Sequence, residues 1–103
     1  MDLSADRFVL MCELFRVFDD DKNFYKKGFS SELALCKVLS GSSNPSSRFR
    51  VFVRECVSEG VLIFDGDGRL ILDDDRFTDV LESSQVYGVM KNIFKKYSTL
   101  FIE

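Results

Sequence analysis

The stretch Asp65-Gly66-Asp67-Gly68 stands between two β-prone runs, Val61-Leu62-Ile63-Phe64 and Arg69-Leu70-Ile71-Leu72. Aspartate and glycine tolerate the backbone angles of a tight reversal, so the segment predicts an antiparallel hairpin. Immediately before it, NPSSRFRVFVRECVSEG reads as one helix. Asn44 is a good N-cap, and Pro45 fits the first helical turn, where its missing N–H costs nothing. Gly60 ends the helix, because glycine accepts a left-handed cap. Residues 44–73 therefore predict a helix running straight into a hairpin, and the rest of the chain has to pack around that pair.

A chain of 103 residues suggests one domain, 1–103. Its 46% hydrophobic content supports a real core and argues against disorder. The 11 phenylalanines are expected to be mostly internal, since a chain this small must bury its aromatics or aggregate. No apolar run approaches the ~18 residues of a membrane span. The N-terminus lacks the basic-then-apolar pattern of a signal peptide, so a cytoplasmic location and no membrane partner are expected. Cys12, Cys36 and Cys56 are odd in number and each sits in an apolar helical pattern. With no histidine and no CxxC, a zinc site is not expected. They read as reduced core thiols; a redox switch would need one of them exposed.

The first helix is expected over 5–19, capped by Ser4. Phe8, Val9, Leu10, Met11, Cys12, Leu14, Phe15, Val17 and Phe18 cover most of its circumference. Only a strip through Glu13 and Arg16, with Arg7 on the far side, is polar. Either this helix is central within the monomer, or one side faces the core and the other a second subunit. Residues 22–28 suggest a short strand through Phe24 and Tyr25. Ser30 or Ser31 caps a second helix over 32–39, with Leu33, Leu35, Cys36 and Leu39 apolar. The turn SGSSNP leads into the third helix, giving a helix-turn-helix order. Asp73-Asp74-Asp75 caps a short helix over 76–82, since carboxylates suit a helix N-terminus. A last helix is expected from Gln85 to about Tyr97, with Gly88 tolerated through close approach of another helix, and Leu100-Phe101-Ile102 packed on the body or across a dimer.

In the third helix, Phe49, Phe52, Val53, Cys56 and Val57 recur at the spacing of a buried face. The opposite face carries Ser47, Arg50, Val51, Arg54 and Ser58, with Arg48 and Glu55 at one margin. Arginine donates two bonds to guanine, serine reaches phosphate or base, and a helix N-terminus favours phosphate. The same face is also what an ordinary solvated helix would show. The net charge of −3 argues against coating nucleic acid by bulk charge but leaves a local basic face open. Neither acidic loop matches a calcium site. Around Asp19, Asp21 and Asn23 the glycine position holds Phe24, and around Asp65 the first-ligand position holds Ile63. The absence of histidine, of a phosphate-binding glycine loop and of any placed nucleophile argues against an enzyme.

The run SELALCKVLSGSSNPSSRFRVFVRECVSEGVLIFDGDGRLILD, residues 31–73, resembles small winged-helix transcription regulators. The helix ending SEG followed at once by VLIFDGDGRLIL is similar to the passage from recognition helix to wing in repressors of the multiple-antibiotic-resistance and arsenic-response kinds. The compact size resembles regulators from archaea and their viruses or plasmids. The resemblance implies an α+β, mostly helical, winged helix-turn-helix fold with a two- or three-stranded wing sheet and a C-terminal dimerisation helix. It implies a homodimer on double-stranded DNA, with the third helix in the major groove and no cofactor or small-molecule ligand. Ser46, Ser47, Arg48, Arg50 and Arg54 would then touch DNA, with Arg69 from the wing. The helices within 1–20 and 76–103 would form the dimer through Phe8, Met11, Phe15, Val86, Tyr87, Met90, Phe94 and Tyr97. The acidic hairpin tip, Asp65 and Asp67, would repel phosphate. That fits the alternative of a protein-interaction module docking a basic partner through an acidic surface.

Overall fold

A computed structural model of the chain describes residues 4–19, 28–84 and 87–88. Over these residues the fold is α+β and mostly helical. The elements are α1 (Ala5–Asp19), α2 (Glu32–Ser40), α3 (Ser47–Ser58), β1 (Leu62–Phe64), β2 (Leu70–Leu72) and α4 (Asp74–Glu82).

Local chemistry accounts for most of the helix ends. The Ser4 hydroxyl accepts from the Arg7 N–H at 3.3 Å, and the Ser31 hydroxyl from the Ala34 N–H at 3.1 Å. The Asp73 carboxylate accepts from the Arg76 N–H at 3.0 Å, so the acidic run caps α4 as its sequence predicts. Both α2 and α3 stop at a left-handed glycine, Gly41 (φ 66°) and Gly60 (φ 78°). At the end of α3 the Gly60 N–H donates to Val57 O (3.1 Å) and the Val61 N–H to Cys56 O (2.9 Å). This double closure satisfies two carbonyls that the helix leaves free. Val61 is fully buried, so the cap carries the chain through the core and into β1 one residue later.

The start of α3 differs from the sequence reading. Ser46, not Asn44, occupies the N-cap position, with extended backbone and no side-chain cap bond. Pro45 lies in the connection before the helix and is buried, while the Asn44 N–H donates to the Ser42 hydroxyl at 3.1 Å. Burying the proline ring against the body moves the helical start two residues downstream.

β1 and β2 pair antiparallel with Leu62 opposite Leu72, Ile63 opposite Ile71 and Phe64 opposite Leu70. The tip is held from within. Asp65 Oδ1 accepts from the N–H groups of Asp67 and Arg69, both at 2.9 Å. A third chain segment joins the sheet through one residue. The Phe29 N–H donates to Leu70 O (2.9 Å) and the Leu70 N–H to Phe29 O (2.8 Å). The strand expected over 22–28 lies outside the described residues except for Gly28.

α3 packs on α2 and β1, and α1 on α2 and β2. Phe8, Met11, Leu14, Leu35, Phe52 and Phe77 are among the fully enclosed side chains. α1 is the central helix of the monomer. Phe8, Leu10, Met11, Cys12, Leu14 and Val17 are all buried, and Arg16 marks the solvent strip. All three cysteines are free and buried. Burial pushes the Cys12 thiol up to about 11, with the nearby Glu13 carboxylate adding to it. Burial likewise pushes the Cys56 thiol up to about 12.

Candidate nucleic-acid interface

α3 divides as its periodicity predicts. Phe52, Val53 and Cys56 are buried and Phe49 and Val57 pack against the core, while Ser47, Arg48, Arg50, Val51, Arg54 and Ser58 are exposed. Ser46 stands exposed just ahead of them. All five residues of α3 and its cap that the sequence nominates are therefore exposed, with Ser47, Arg50 and Arg54 on one face and Arg48 at its margin.

Ion pairs to both neighbouring helices flank that surface. On one side Arg48 donates Nε and Nη2 to the two carboxylate oxygens of Asp6 in α1, at 3.1 and 2.5 Å. Arg7 of α1 pairs in return with Glu55 of α3. The Arg48 guanidinium also lies 5.4 Å from the centre of the Phe49 ring. On the other side Arg54 donates Nε to Glu32 Oε1 of α2 at 3.1 Å. Among the described arginines, Arg50 is the one with no hydrogen bond or ion pair. Sequence reasoning missed Asp6, Glu32 and Glu55 as partners. They lie 22 to 48 residues from the arginines they meet, and no local pattern signals such a pairing.

Two shallow grooves run beside the exposed face. One, about 260 Å³, lies between α1 and α3 and is lined by Asp6, Arg7, Leu10, Arg48 and Val51 among others. The other, about 190 Å³, lies between α2 and α3 and is lined by Glu32, Leu33, Cys36, Arg50 and Arg54. Cys36 forms part of its floor. Burial raises that thiol and the Arg50 charge opposes the rise. Among the described residues no cluster of three or more metal-binding side chains occurs, and no helix is long and apolar enough to cross a membrane.

Arg69 sits apart from α3. It is half-buried and donates Nη2 to Gly28 O at 2.6 Å, tying the hairpin to the segment that enters the sheet. The hairpin surface beside it is apolar and acidic, with Ile63 and Phe64 exposed and Asp67 at the tip.

The expected dimer residues fare unevenly. Phe8 and Met11 are fully enclosed in this chain's own core, so neither presents surface to a second copy. That corrects the sequence reading: their apolar stripe is satisfied inside one subunit. Phe15 and Tyr87 pack partly buried against the same core, with the Tyr87 ring 6.4 Å from that of Phe8. Val86, Met90, Phe94 and Tyr97 lie outside the described residues. Gly88 is exposed, and among the described residues no heavy atom lies within 4 Å of where a Cβ would stand.

Compared with known proteins, the chain matches no family model, no curated protein and no solved structure.

Proposed function

We propose that the chain is a winged-helix DNA-binding regulator, cytoplasmic, acting as a homodimer with α3 in the major groove. The order α1, Phe29 bridge, α2, α3, β1, β2, α4 supports the winged-helix reading. In it the β1–β2 hairpin is the wing and Phe29 is the remnant of a third strand. The observation that carries the DNA reading is the exposed face of α3. It presents Ser47, Arg50, Val51 and Arg54 together, on a helix braced by ion pairs to α1 and α2. Arginine suits guanine and an exposed apolar side chain suits a thymine methyl. The brace at Arg48 is a pair exposed on both sides, which contributes little stability and leaves Arg48 able to turn to a phosphate.

Selection from a random duplex library, with non-specific binding as control, tests this. Enriched inverted half-sites about one helical turn apart support a dimeric reader. No enrichment, together with affinity insensitive to salt, refutes it. The exposed Ile63 and Phe64 beside the acidic tip favour a second reading, a module that docks a basic protein segment on the hairpin. Binding that survives loss of Arg50 and Arg54 but not Phe64→Ser selects that alternative.

A further inference from the structure

We infer that Glu32 is a positioning residue for base recognition: it holds the Arg54 guanidinium by Nε and so aims the Nη1–Nη2 edge at a guanine in the major groove. The inference rests on the DNA-binding reading and names the specificity-determining pair within it. An arginine on an exposed helix face has several rotatable bonds and samples many directions, whereas guanine is read by two parallel donors in one plane. Arg54 differs from a free arginine in one respect. Glu32 Oε1 takes its Nε at 3.1 Å, while the Nη groups make no hydrogen bond and the side chain is 77% exposed. The edge left open is the one that can donate both bonds to guanine O6 and N7.

Glu32 is suited to hold it. It lies in the first turn of α2, whose start is fixed by the Ser31 cap and whose buried Leu35 and Cys36 belong to the shared core. Its own side chain is only 32% exposed. The helix N-terminus favours its negative charge. Arg50 stands one turn earlier on the same face without a carboxylate partner. The two arginines are separated by about 6 Å along the helix axis, close to two base-pair steps of ~3.4 Å. Arg48 is also held by a carboxylate, but it stands ~120° round the helix from Arg54 and its partner Asp6 is 62% exposed. That pair is placed to tie α3 to α1, at the margin of the reading face.

The test compares base preference in wild type, Arg54→Ala, Glu32→Ala and Glu32→Gln, using duplexes that vary one position at a time. Wild type is expected to prefer guanine by about tenfold or more at the position where Arg54→Ala shows no preference. Glu32→Gln keeps an oxygen acceptor for Nε and should retain that preference to within about threefold. Glu32→Ala should lose most of it, while affinity for random duplex holds or rises and the log–log salt slope steepens by up to about one unit as a negative charge is removed. Retained guanine preference in Glu32→Ala overturns the inference, and so does an equal loss of affinity for every sequence. A wild type that binds no duplex removes the DNA reading itself and is distinguishable from both.

Discussion

Gly28 is where one methyl group should do the most damage. Its φ is +86°, and a Cβ added there would stand 2.6 Å from the Leu70 carbonyl oxygen and 2.8 Å from Ile71 Cγ2. The carbonyl cannot retreat, because Leu70 is fully buried and its backbone is locked to Phe29 by bonds of 2.9 and 2.8 Å. Gly28→Ala therefore carries left-handed strain of about 1–2 kcal/mol. It also loses the two bridge bonds, at about 0.5–1.5 kcal/mol each. The sum is about 2–5 kcal/mol, a large part of the ~5–15 kcal/mol typical of a domain. Gly68→Ala is the matched control. Gly68 has φ +76° with nothing within 4 Å, so it should cost the strain alone, about 1–2 kcal/mol. Urea unfolding followed by circular dichroism compares the two at equal m-value. A Gly28→Ala variant within about 0.5 kcal/mol of Gly68→Ala would show that the added methyl is accommodated with the Phe29 bridge intact, and would refute the argument.

The double reversal Arg50→Glu/Arg54→Glu should weaken specific duplex binding about a hundredfold or more, read by fluorescence anisotropy at fixed salt. Native protein should react slowly with thiol reagents at pH 8 and rapidly in denaturant, because all three thiols are buried. Cys12 and Cys56 titrate at about 11 and about 12 in the fold against an ordinary 9.0. Above pH 9 the unfolded chain releases thiol protons that the folded chain keeps. Stability should therefore be level below pH 9 and fall above it until the folded thiols ionise, by about 1.4 kcal/mol per pH unit per thiol. Urea midpoints across pH 7–11 check this, and Cys56→Ala should retain about one-half to two-thirds of the slope, since Cys12 and Cys36 remain. Sedimentation at micromolar concentration should give a dimer mass; a monomer under those conditions removes the homodimer.

Element boundaries governed by neighbouring residues were legible in the chain. Ser4, Ser31 and Asp73 cap helices, Gly60 ends α3, and Asp65-Gly66-Asp67-Gly68 turns the hairpin, all through contacts within a few residues. The exposed and buried faces of α3 were legible too, because a 3.6-residue period is written in the order of residues. The start of α3 was not, since burial of Pro45 depends on what packs against it.

The apolar circumference of α1 left two solutions, one core or two. Only the tertiary structure places Phe8 and Met11, enclosing both in this chain's own core. The acidic hairpin tip reads, in the chain alone, as charge that would repel phosphate. In the fold, Asp65 accepts two backbone N–H groups of its own turn. Arg54 looked like a free cation and is held by Glu32 from the preceding helix. Local backbone preferences and periodicity act over a few bonds, so the order of residues determined the elements, their ends and the polar face of α3. Which side of α1 is covered, and which carboxylate holds which arginine, depends on segments brought together across 22 to 48 residues of chain, and only packing in three dimensions decides that.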